Sequence, residues 1–105
     1  MPNIKFNYLY RDAANYKKYG FVILSNHDGF ELLEIEKLIR SKLIWGEWFY
    51  ADEWGLPELF LETVDFRIDP TWHEFECFEY TNVAGDEFMT IKTLKTLLEK
   101  TNRQY

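Results

Sequence analysis

Two strand-like runs separated by eight residues constrain this chain more than any other feature. Residues 4–10, IKFNYLY, alternate strictly. Ile4, Phe6, Tyr8 and Tyr10 fall on one face, and Lys5, Asn7 and Leu9 fall on the other. Period two is the mark of a half-buried strand. Residues 19–25, YGFVILS, form a nearly continuous apolar run with β-branched members. Such a run reads as a more central strand, covered on both sides. The segment between them, RDAANYKK, is polar and short. A parallel crossover needs about a dozen residues or more, so the two runs are expected to pair as an antiparallel hairpin.

The rest of the chain is read in the same terms. Asn26-His27-Asp28-Gly29 is a turn, and Asp28 with Glu31 three residues on fits a capping box. The helix that follows is expected to reach Leu43, with Leu32, Ile35, Leu38, Ile39 and Lys42 along one stripe. Ile44 to Tyr50 reads as a third strand with a bulge at Gly46; Trp48 and Tyr50 point one way, Glu47 and Phe49 the other. Asp52 to Gly55 is a turn or short loop, and Leu56 to Leu61 is a short helix or irregular loop, with an extended edge strand as the alternative. Trp72 to Thr81 is a strand whose two faces both mix apolar and acidic residues, as an edge position or a bulge would produce. Asn82 to Glu87 reads as a loop around Gly85, and Thr90 caps a last helix to about Thr101. The expected fold is α+β: an antiparallel sheet of about four strands with two main helices packed on one face, in the order β-β-α-β-β-α. Residues 1–105 form one domain by length.

Net charge is −6, but its distribution says more than the total. Residues 45–87 hold twelve of the eighteen acids and one base, Arg67, a net −11; the remainder carries +5. Such a field steers a basic partner and argues against direct nucleic-acid binding, which needs cationic contacts to phosphate. Twenty aromatic rings exceed what a core of this size hides, so several are expected at the surface, where interfaces recruit Trp and Tyr. No signal-peptide pattern opens the sequence and no run approaches a transmembrane length, so a cytoplasmic location and no membrane partner are expected. A single cysteine, Cys77, excludes an internal disulfide and gives no metal-ligand spacing.

Several short stretches carry a resemblance. Lys5-Phe6-Asn7-Tyr8-Leu9-Tyr10-Arg11-Asp12 followed by Asn15-Tyr16-Lys17, then Gly46-Glu47-Trp48-Phe49, Gly55-Leu56-Pro57-Glu58-Leu59 and Trp72-His73-Glu74-Phe75, are similar to pieces of a group of small bacterial proteins with no assigned activity. The resemblance spans roughly residues 4–76 and implies no catalytic residue.

Catalytic constellations are weak. His73 and Glu74 are adjacent on a strand and so face opposite sides. His73 and Cys77 lie about 13 Å apart along an extended chain, beyond hydrogen-bond reach. No glycine-rich phosphate loop is present. A carboxylate cluster (Asp52, Glu53, Asp65, Asp69) lacks calcium-loop spacing. What stands out is the stretch from Trp45 to Glu62, which interleaves three tryptophans with five carboxylates. Aromatic anchors supply affinity and charges supply rate and selectivity. The expected function is therefore a small acidic binding protein that engages, and inhibits or regulates, a basic protein partner, in the manner of an immunity protein, an antitoxin or a mobile-element inhibitor. Its expected partner-binding residues are Glu47, Trp48, Tyr50, Asp52, Glu53, Trp54 and Glu58, with no catalytic residue, metal or cofactor. The alternatives are a metal-dependent hydrolase using Asp65, Asp69, His73 and Glu74, or a ligand-sensing module with an aromatic pocket.

Overall fold

The structure, a computed structural model, describes residues 2–100, without the side chains of residues 86–88. The hairpin forms as expected. Strand β1 (Asn3–Arg11) pairs antiparallel with β2 (Lys17–Ser25), Ile4 opposite Leu24 and Arg11 opposite Lys17. Its turn is built by Asp12, whose Oδ1 accepts the N–H groups of Ala14 and Tyr16, and by Asn15 at φ 69°. Asp and Asn suit such a turn because their short side chains bond the local backbone and tolerate the left-handed region.

Helix α1 (Leu32–Lys42) follows, then β3, reduced to Trp48–Phe49, and a single 3-10 turn over Ala51–Trp54. A long irregular segment leads to β4 (His73–Thr81), then β5 (Asp86–Thr90) and α2 (Ile91–Lys100). The sheet has five strands in the order β3-β4-β1-β2-β5. It is mixed, because β5 runs parallel to β2. The expectation of a four-stranded antiparallel sheet is thus corrected in its details, while the α+β class with two main helices holds.

The parallel pair has a simple origin. The chain leaves the end of β4 and crosses the end of the sheet, not its face. Asn3 Nδ2 donates to the carbonyl of Val83 at 2.9 Å as that segment passes the start of β1. Gly85 then passes the end of β2 so closely that a β-carbon there would sit 2.9 Å from the Ser25 nitrogen. Going from β4 to β5 covers three strand spacings, about 14 Å, within the reach of five extended residues. A crossover of a dozen residues is needed only when the chain must pack back over a face.

Period two in β1 places Ile4, Phe6, Tyr8 and Tyr10 on the covered face, each at most 1% exposed. Phe6 is the hub, in edge-to-face contact with Tyr8, Phe49, Trp54, Phe75 and Phe78. Ile35 and Ile39 of α1 and Ile91, Leu94 and Leu98 of α2 close over this layer. Where the helices stop, the segment after Gly55 continues the cover. The Tyr8 hydroxyl donates to the Pro57 carbonyl and the Tyr10 hydroxyl to the Pro70 carbonyl, at 2.5 and 2.7 Å. Leu59 lies over Gly20, where a β-carbon would come within 2.7 Å of its side chain.

Three local expectations are revised. The capping box does not form. Asn26 closes the turn instead, accepting the Phe30 N–H and donating to the Phe30 carbonyl, both at 2.9 Å. The first helical N–H, that of Leu32, donates to the Tyr80 hydroxyl. The third strand is shorter than Ile44–Tyr50. Residues 44–48 make a tight turn with Trp45 and Gly46 at φ 56° and 75°, so Gly46 is a turn residue and not a bulge. Finally, β2 is interior to the sheet but covered on one face only, and Tyr19 and Phe21 stand in solvent. At the far end, Thr90 does cap α2, its Oγ1 accepting the Thr93 N–H at 3.1 Å. Its C-terminus is described to Lys100; Thr101 lies outside the described residues.

Candidate functional site

The second face of the sheet is open at Tyr19 and Phe21, while Leu9 in its middle is buried. Register fixes what this open face presents. One row runs Trp48–Glu74–Leu9–Tyr19 across β3, β4, β1 and β2. The next are Cys77–Asn7–Phe21 and Glu79–Lys5–Ile23. The mixed pattern of residues 72–81 follows from a register shift opposite Asn7 and Tyr8. On one side of it His73 and Phe75 face the core; on the other Phe78 does. Glu74, Cys77 and Glu79 therefore share the open face, with Glu76 as the extra residue.

At the β3 end the open face deepens into a cleft of about 490 Å³ lined by Arg11, Asp12, Ala13, Glu47, Trp48, Pro70, Trp72 and Glu74. Trp48 and Trp72 meet along one wall, ring centroids 5.8 Å apart and planes tilted by 46°. Trp48 is half-buried and Trp72 is 38% exposed. Arg11 lies along the floor and is held in a fork by Glu74, Nε to Oε2 at 2.7 Å and Nη2 to Oε1 at 3.2 Å. A third bond, Nη1 to Asn15 Oδ1, completes its restraint. These bonds to Glu74, then the charges of Glu74 and Glu47, hold the guanidinium protonated more firmly than usual. Glu47 is exposed and makes no hydrogen bond or ion pair among the described residues through its carboxylate. The cleft thus has three carboxylates against one guanidinium that is already paired.

The expected partner-binding residues disperse. Glu47 and Trp48 enter the cleft. Asp52 and Glu53 lie on the 3-10 turn, Asp52 exposed, and Tyr50 is half-buried just before it. Glu58 is exposed on the long segment. Trp54 is 1% exposed and stacks on Phe49 at 4.5 Å, so it belongs to the core and offers a partner no surface. In a 3-10 helix positions i and i+3 eclipse, and Ala51 and Trp54 turn inward together. Trp45, by contrast, is 78% exposed at the tip of its turn. Sequence reading did not bring Arg11 or Glu74 to Trp48. The available signal was Trp72 and Glu74 sharing one strand face, opposite His73.

The proposed hydrolase residues do not converge. His73 is fully buried among the rings of Tyr8, Tyr10, Phe49 and Phe60 on the covered face. Its Nε2 accepts the Leu59 N–H at 2.9 Å, so its proton sits on Nδ1, which has no partner. Burial pushes its pKa down to about 4, opposed by the charge of Asp52. Glu74 is on the other face with Arg11. Asp69 accepts the N–H groups of Ala13 and Asp65, and Asp65 pairs with Arg67 at 2.8 Å, which holds the Asp65 carboxyl below the usual range. Among the described residues no group of three or more His, Cys, Asp or Glu is placed to hold a metal ion. No helix among them is long and apolar enough to cross a membrane.

No family model, curated protein or solved structure matches the chain.

Proposed function

We propose that this chain is a small acidic binding protein that engages a basic protein partner and inhibits or regulates it, as an immunity protein, antitoxin or mobile-element inhibitor does. The observation that carries the reading is the cleft, where the Trp48–Trp72 pair adjoins the free carboxylate of Glu47 and the paired carboxylate of Glu74. Half-exposed tryptophans in a concave site supply contact area at low entropic cost. The net −11 of residues 45–87 supplies the field that steers a cationic surface to it. Acting by occupation of a partner's surface needs no bond-making group, and the reading asks none of these residues.

The experiment is affinity capture with tagged protein from the lysate of its own source, at low and high salt. The expected result is a basic protein retained at low salt, released at high salt, and lost when Glu47→Lys is combined with Trp72→Ala. Asp52→Lys with Glu53→Lys, away from the cleft, should weaken capture less and flatten its salt dependence. Retention of the same partner by the Glu47→Lys, Trp72→Ala protein would refute the cleft as the binding surface.

A further inference from the structure

We propose that the cleft recognises one arginine side chain of the partner, stacking its guanidinium on the Trp72–Trp48 wall and binding it through the Glu47 carboxylate. The inference rests on the binding reading above and names the chemistry of its anchor.

Three observations select a cation over an anion or a neutral group. First, the one cation in the cleft is spent. Arg11 makes two bonds to Glu74 and a third to Asn15, so an anion would have to displace Glu74 and then face Glu47 and Asp12. Second, a carboxylate is left over. Glu47 has no ion-pair partner among the described residues, while Asp12, which adds to the field, has one oxygen committed to the hairpin turn. Third, the wall is aromatic. Tryptophan faces attract cations through the ring quadrupole, and indole is the strongest of the side-chain rings in this respect.

Arginine suits the site better than lysine. A guanidinium is planar, so it lies flat on an indole while its edge donates two parallel bonds to a carboxylate. It is also more weakly hydrated than an ammonium, so entering the cleft costs it less. The molecule itself sets the precedent on the cleft floor, where Glu74 takes Arg11 in the same forked geometry. A volume of about 490 Å³ accommodates such a head with the stem leading out to the peptide.

The test uses the whole protein and a small probe. N-acetyl-arginine amide is titrated while the indole N–H signals of the four tryptophans are followed by NMR. N-acetyl-citrulline amide, with a neutral urea of the same shape, is the control. The expected result is that Trp48 and Trp72 signals move and saturate at millimolar probe, while those of Trp54 do not. Citrulline should bind at least about tenfold more weakly, and Glu47→Gln and Trp72→Ala should each weaken arginine by about fivefold. Phe21→Ala, on the distant half of the same face, should leave it unchanged. Circular dichroism of each variant checks that the fold is kept. Equal binding of citrulline, or unchanged affinity in both cleft variants, would overturn the proposal. Should arginine fail to bind while a basic partner is still captured and lost by Glu47→Lys, the guanidinium assignment falls and the binding function stands.

Discussion

His73 makes this fold acid-sensitive, and the size of the effect follows from its surroundings. The imidazole is fully buried, enclosed by four rings, and accepts the Leu59 N–H through Nε2. Protonating it would place a charge among aromatic side chains and abolish the bond by which Leu59 ties the long segment to β4. Its folded-state pKa accordingly lies at about 4, below the ordinary 6.5. The unfolded chain takes up the proton first, so His73 leaves stability intact above about 6.5, erodes it as pH falls from there, and completes the loss near 4. The difference corresponds to about 3 kcal/mol, a large share of the stability of a small domain. The informative comparison is with His73→Gln, which keeps an acceptor for Leu59 but does not titrate. Urea unfolding followed by tryptophan fluorescence, repeated from neutral pH down to about 4, should show wild type losing about 3 kcal/mol more than the variant across that range. Comparison with the variant removes the contributions of the titratable groups that both proteins share. Parallel curves for the two proteins would refute the reasoning, as would an NMR titration of His73 near its ordinary value.

Other perturbations probe particular joints. Gly85→Ala should cost about 2 kcal/mol in urea unfolding, because the added carbon meets the Ser25 backbone, which cannot move without displacing β2. Tyr10→Phe should cost about 1 kcal/mol by removing the bond to the Pro70 carbonyl, with amide exchange rising between residues 60 and 70. Trp45→Asn should raise stability by about 0.5 kcal/mol in thermal melts, since Trp45 is exposed and held at φ 56°, where a bulky residue is strained and asparagine is not.

Local alternation made much of this architecture legible. The covered face of β1 and the hairpin turn could be read directly, because each is decided by residues close in sequence. Helix α1 kept its stripe, and Thr90 its cap, for the same reason. The places where reading failed are decided at a distance. Residues 86–90 form a strand only because Ser25 and Leu24 receive them across the end of the sheet, so DEFMT alone reads as the edge of a loop. Asp28 lost the capping role to Asn26 and Tyr80, the latter 48 residues from the Leu32 N–H it accepts. The same holds for the site. Glu47 and Trp48 were visible as an acidic aromatic pair, but Arg11 and Glu74 meet 63 residues apart through the β1–β4 register. Composition could not say which tryptophans would be buried. Trp54 went inside with Ala51, whereas Trp72, just ahead of β4, stayed at the rim.

The proposed binding places the partner in the cleft at the β3 end of the open sheet face. Amide hydrogen exchange of the protein, alone and saturated with the captured partner, tests it most directly. Slowed exchange is expected at residues 11–13, 46–48 and 71–74, with helices α1 and α2 unchanged. Protection confined to the helices, with the cleft segments exchanging as in the free protein, would contradict it.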